Sequence, residues 1–148
     1  MATAPTSSSD EEFDTAARLR TAVTRLHRRL RQQSLGGLSP GQASTLAMIA
    51  RLGAPTLGAL AKAEQIQPPS MTRLIAGMEE TGLVSRAVDE QDRRISRVSL
   101  TTKGRRELER VRTMKTAYLV ERLSGLSLAE KSKALELVEL LERIEEDQ

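Results

Sequence analysis

The chain has 148 residues, 29% of them charged and 1% aromatic, with a formal net charge of +3. That length suits one domain of ordinary size, with or without an oligomerisation arm, and buries a sizeable core without staples. The absence of cysteine excludes a disulfide framework, a thiolate zinc site and a thiol redox sensor, the single histidine (His27) excludes a polyhistidine metal site within one chain, and two aromatics, Phe13 and Tyr118, argue against a base-stacking platform for single strands.

Residues 1–12 are polar and acidic and are expected to form a disordered tail. Their composition fits neither a secretory nor a transit peptide, and no stretch approaches the roughly 20 apolar residues of a membrane span, so a cytoplasmic protein is expected. From Phe13 onward Ala16, Leu19, Val23, Leu26 and Leu30 recur at helical spacing, a heptad-like seam on an arginine-rich helix that Gly36-Gly37 is expected to end. Ser39-Pro40-Gly41-Gln42 reads as a helix start, with Ser39 as cap, Pro40 in the first turn and Gln42 closing a capping box. Ala43, Leu46, Ala47, Ile49 and Ala50 are the expected buried face, and Gly53-Ala54-Pro55 the stop. Thr56 caps a short helix to about Glu64 with Leu57, Leu60 and Ala61 inward, and Gln65-Ile66-Gln67 makes a tight turn.

Pro68-Pro69 opens the next helix, where the missing N–H groups would have lacked partners anyway. Its buried side is Met71, Leu74, Ile75 and Met78, and Gly82 is its left-handed stop. Beyond Gly82 the period changes. Residues 84–89 and 97–101 are expected strands of a hairpin with a charged tip over 90–96, and a lone hairpin must pack on neighbouring helices to persist. A long helix is expected from Thr102 to about Ser124, carrying Leu108, Val111, Met114, Tyr118 and Leu119. A last helix near 128–146 has Ala134, Leu135, Leu137, Val138, Leu140, Leu141 and Ile144 on more than one face. There is no internal repeat.

Charge is unevenly spread. Residues 1–14 hold four acids and no base, 15–40 six arginines and no acid, 83–114 nine bases against five acids, and 115–148 eight acids against five bases. Local basic zones are what a nucleic-acid footprint requires.

Helix, short helix, tight turn, helix and charged hairpin make the order of a winged helix-turn-helix, so the expected fold is mainly α with a small β-hairpin. The division is a tail over 1–12, a dimerisation helix over 13–38, a DNA-binding domain over 39–101 and dimerisation helices over 102–148. In such a motif the second helix presents a polar side to the major groove. Gln67, Pro68, Pro69, Ser70, Thr72, Arg73 and Gly77 lie on that side here. Glutamine reads adenine edges, arginine reads guanine or holds phosphate, and threonine does either weakly. Arg93 and Arg94, beside Asp92 at the hairpin tip, suit a narrow groove with its concentrated negative potential. The plainer readings are a solvated arginine at 73, a solubilising loop at 93–94 and a turn role for Asp92. The alternative function is a winged helix that binds only protein, which calls for an apolar or acidic reading side. No Ser/His/Asp set, phosphate-cradling glycine loop, metal cluster or cleft of paired carboxylates is apparent, so no enzyme and no cofactor are expected.

The run PPSMTRLIAGMEETGLVSR and then DEQDRRISRVSLTTKG resembles the reading helix and wing of the MarR family of bacterial transcriptional regulators. Asp92 and Arg94, Leu100-Thr101 and Gly104 fall in the family's order. The resemblance implies a homodimer on a pseudo-palindromic double-stranded operator, with Ser70, Thr72 and Arg73 on the reading helix, Arg94 as the wing arginine and Asp92 orienting the wing through an ion pair. It also implies a repressor released by a small effector, of aromatic type, for which His27 and Tyr118 are the candidate lining residues. Dimerisation has its own warrant. The seam of the first helix and the many-sided last helix offer more apolar surface than one small domain can hide. A symmetric pair would set two reading helices roughly 34 Å apart.

Overall fold

A computed structural model describes residues 8–33 and 36–146. Along the chain run α1 (Ser8–Arg31), α2 (Pro40–Leu52), α3 (Leu57–Ala63), α4 (Pro68–Glu80), β1 (Val84–Val88), β2 (Ser96–Leu100), α5 (Thr102–Ser124) and α6 (Leu128–Glu146). The fold is mainly helical with one antiparallel hairpin, as expected.

Capping chemistry sets the starts of α2 and α3. Ser39 Oγ accepts the Gln42 amide at 3.1 Å while the Gln42 side chain accepts the Ser39 amide at 2.8 Å, the reciprocal capping box. Thr56 Oγ1 accepts the Ala59 amide at 3.1 Å and starts α3. Gly82, at φ +73°, turns the chain out of α4 in the left-handed region. In the hairpin Val84 faces Leu100, Arg86 faces Val98 and Val88 faces Ser96. β2 has a further partner on its other edge. The Val98 amide donates to the Pro55 carbonyl at 2.9 Å, and Thr56 bridges Arg97.

The core lies under α4. Leu46, Leu60, Met71, Ile75, Met78 and Val98 are fully buried, joined by Ile49, Leu83, Val84 and Leu108. Each such side chain contributes about 1.5–3 kcal/mol on burial. Hairpin and helices therefore form one lobe, which answers the marginality of an isolated hairpin.

Four local expectations are corrected. The expected disordered tail over 1–12 is helical from Ser8, because Asp10 and Glu11 in the first turn favour the positive helix terminus; residues 1–7 lie outside the described residues. α1 ends at Arg31, before Gly36-Gly37, where the Gln33 side chain takes the Arg29 carbonyl at 2.9 Å and satisfies a terminal acceptor. Ala50, expected inward, is exposed, and Thr45 is buried, since the inward stripe of α2 runs through Ala43, Leu46 and Ile49. Both strands begin or end one residue away from the expected limits, because Asp89 leaves the ladder to organise the tip.

The arms differ from the lobe. On α1 Phe13, Val23 and Leu26 are exposed, and on α6 Leu128, Leu135, Leu137, Val138, Leu140 and Ile144 are exposed. No described helix is long and apolar enough to cross a membrane.

Candidate nucleic-acid interface

α4 shows how one helix serves two masters. Met71, Ile75 and Met78 repeat at helical spacing and lock one side into the core. Gln67, Pro68, Pro69, Ser70, Thr72 and Arg73 are all exposed, while Gly77 is half-buried. Gln67 caps the helix by backbone alone, through Ser70 and Met71 amides at 2.9 and 3.1 Å, so its carboxamide is not consumed by the cap. Thr72 donates its hydroxyl to the Pro68 carbonyl at 3.0 Å. It thus offers outward its oxygen lone pairs and methyl group, which suit a base amino group or a thymine methyl. Among the described residues the Arg73 side chain makes no hydrogen bond or ion pair, so its guanidinium carries all its donors into solvent.

The wing is built differently. At its tip Asp92 accepts the Arg94 amide at 3.0 Å, Arg94 Nε at 3.1 Å and Arg94 Nη2 at 3.3 Å. The Arg94 side chain is nevertheless 90% exposed. The ion pair expected of Asp92 is therefore made to Arg94 itself and fixes the direction of its guanidinium. Those bonds from Arg94 hold the Asp92 carboxyl below its usual range. Arg93 is exposed and, among the described residues, makes no ion pair.

Four ties that fix the wing and its joints with α4, α5 and the turn before α3 are not apparent from periodicity. Arg86 on β1 donates to Glu79 on α4 at 2.9 Å. Arg97 donates to Asp89 and, through Nη1, to the Ala54 carbonyl at 3.3 Å. With this bond first, and with the amides of Asp92 and Gln91, the Asp89 carboxyl falls from 3.8 to about 2. Thr101 caps α5 by accepting the Gly104 amide at 3.0 Å and donates to the Gly82 carbonyl at 2.6 Å. Lys103 Nζ donates to the Thr81 carbonyl at 2.7 Å. Gly104 is required at this joint, since a Cβ there would stand 2.0 Å from the Leu83 carbonyl oxygen. The visible signal for the second tie was an acid and a base flanking the two ends of an expected hairpin.

His27 and Tyr118 are not brought together in one protomer. His27 lines a groove of about 600 Å³ with Thr24, Arg28, Arg31, Leu38 and Pro40, between the end of α1 and the start of α2. Tyr118 lies on α5 beneath the Arg122 guanidinium, 4.3 Å from its ring centre, and is not in that groove's wall. Among the described residues no group of His, Asp and Glu is placed to hold a metal ion.

The family model for MarR matches residues 38–96, which span α2 to the first residue of β2. An HTH-type transcriptional regulator of Mycobacterium bovis is 38% identical over 123 residues, covering 82% of this chain and 86% of that protein. The chain belongs to the MarR family. It is a DNA-binding transcriptional regulator of that family and not an enzyme. A transcriptional regulator of Pseudomonas aeruginosa has a similar crystal structure, with a TM-score of 0.83 and 31% identity, over 93% of this chain and 96% of that one. A mutant of the Staphylococcus aureus regulator MepR, solved bound to an oligodeoxyribonucleotide, has the same fold at a TM-score of 0.66 and 23% identity, over 88% and 97% of the two chains. In this MarR chain, Asp92, Arg94, Thr101 and Gly104 thus have physical reasons for their spacing, in the tip ion pair and in the joint between Gly82 and α5.

Proposed function

We propose that this MarR regulator binds, as a homodimer, a pseudo-palindromic operator in double-stranded DNA and represses transcription until a small effector releases it. The observation that carries the reading is the division of α4, with Gln67, Pro69, Ser70, Thr72 and Arg73 in solvent while Met71, Ile75 and Met78 are buried. One α4 enters the major groove of each half-site, Arg73 and Thr72 meeting base edges or phosphates. Arg94, aimed by Asp92 and joined by Arg93, enters the flanking minor groove. The neighbour MepR, a mutant of which was solved with an oligodeoxyribonucleotide, supports DNA as partner for this fold. A winged helix used only for protein contacts calls for an apolar or acidic reading side, and this side is polar with a cationic arginine.

The second copy covers the apolar side chains exposed on α1 and α6. Covering them adds up to about 1.5–3 kcal/mol for each fully exposed side chain and about half that for the half-exposed ones. For the effector, the groove beside His27 has a volume within the range of ordinary ligand sites. Arg28 and Arg31 in its wall favour an anionic head, and an aromatic acid is the matching class. Such a ligand acts only if it prefers the dimer shape that fits DNA poorly.

A footprint and gel shift on the DNA flanking the chain's own gene, with and without aromatic acids, test the reading. A salt-sensitive, sequence-selective complex of two chains per site is expected, weakened by the acid. Absence of any selective complex rejects the operator reading; a selective complex indifferent to every acid rejects the effector alone.

A further inference from the structure

We propose that Arg97 is a positioning residue for the wing: its guanidinium forks between Asp89 and the Ala54 carbonyl and thereby sets where Arg94 stands, without contacting DNA itself. This rests on the wing contact proposed above and names what holds that contact in place.

The ties form a continuous polar relay. Ala54, at φ +43°, is a left-handed non-glycine residue in the turn before α3, a conformation that persists only where its surroundings hold it. Arg97 Nη1 donates to its carbonyl at 3.3 Å. Arg97 Nε donates to one oxygen of Asp89. The other oxygen of Asp89 accepts the amides of Gln91 at 2.8 Å and Asp92 at 3.1 Å, which shapes the tip. Asp92 in turn holds the amide and guanidinium of Arg94. The main chain reinforces the path, since Arg97 bridges Thr56 and Val98 donates to Pro55 at 2.9 Å. Thr56 is also the cap of α3, so the relay begins at the first helix of the reading pair and ends at the wing arginine.

The donor set explains the residue type. A guanidinium holds two acceptors in different directions with fixed geometry, whereas an ammonium on a flexible stem cannot hold both in place. The Asp89 side chain is 13% exposed, against 47% for Arg97 and 90% for Arg94. The carboxylate is thus sheltered where the strands meet the tip while Arg94 projects.

The test uses the full chain, with Arg97→Met and Arg97→Lys, each alone and combined with Arg94→Ala. Two readouts are taken: amide hydrogen exchange at Gln91, Asp92 and Arg94 without DNA, and binding to a labelled duplex carrying the footprinted operator. Both Arg97 variants are expected to speed exchange at those three amides by about tenfold while α4 amides keep their rates. Arg97→Met is expected to weaken binding about tenfold in the parent and less than about twofold in the Arg94→Ala background, because the two residues act through one contact. Unchanged exchange at the tip overturns the proposal. So do additive losses of affinity, or full rescue by Arg97→Lys, either of which makes Arg97 a direct phosphate contact. Should the tip loosen while Arg94→Ala binds normally, the tether stands and the wing contact to DNA falls.

Discussion

The reading helix and the wing reach the same partner by opposite means. α4 is held by apolar burial beneath it, and among the described residues the side chains of Gln67 and Arg73 have no polar partner on its outer side. The apolar anchorage of the wing is confined to its base, at Val84, Val98 and half-buried Leu100, while its tip is shaped by carboxylates that bind amides and arginines. Burial involves no ionised group, whereas exposed charge ties weaken with salt and, with the tip carboxyls held low, in strong acid. The difference predicts a rigid reader beside an adjustable grip, and it can be attacked from either side.

The largest effect is expected in the core under α4. Ile75→Ala should lower unfolding free energy by about 2–5 kcal/mol in urea titration, through lost transfer energy and the cavity left behind. A loss under about 1 kcal/mol would mean that α4 is not core-anchored. Next comes the joint between reader and wing. Gly104→Ala places a Cβ against the Leu83 carbonyl and should cost about 1–3 kcal/mol of stability, despite alanine's better helix propensity. An unchanged or raised melting temperature would show that the joint yields freely.

The wing is expected to respond on DNA rather than in stability. Arg94→Ala should leave urea unfolding unaltered, weaken operator binding across sequences and lower the slope of log affinity against log salt by roughly one per subunit. An unchanged slope would place Arg94 away from the duplex. The smallest effect concerns pH. The folded Asp89 carboxyl lies at about 2 against an ordinary 3.8, so its tie contributes stability above 3.8 and loses it as pH falls through about 2. Carboxyl titration by NMR should give that low midpoint, and Arg97→Met should return it toward 3.8. A midpoint already near 3.8 in the parent would contradict the tie.

Elements whose limits are set by local chemistry are readable in the residues. The Ser39–Gln42 box, the Thr56 cap and left-handed Gly82 lie within four residues of the boundaries they determine. The split of α4 follows from the spacing of Met71, Ile75 and Met78 alone. Where a boundary depends on weak or competing effects, as at Ser8 or after Arg31, composition misleads: acids that look like a tail also favour a helix start. The wing ties are invisible to periodicity for another reason. Arg97 and Ala54 are 43 residues apart and Lys103 and Thr81 are 22 apart, and only the folded chain brings such pairs together. The exposure of the candidate residues on α4 and the apolar anchoring of that helix were thus legible, whereas the long-range ties of the wing were not.

The claim on which the rest stands is that the solvent side of α4 is what meets the duplex. Anisotropy titration of a Thr72→Ala/Arg73→Ala double variant against the footprinted operator tests it most directly. The account predicts a loss of about 1–3 kcal/mol or more in binding free energy, with thermal unfolding the same as the parent. A variant that melts normally and binds the operator as tightly as the parent would contradict it.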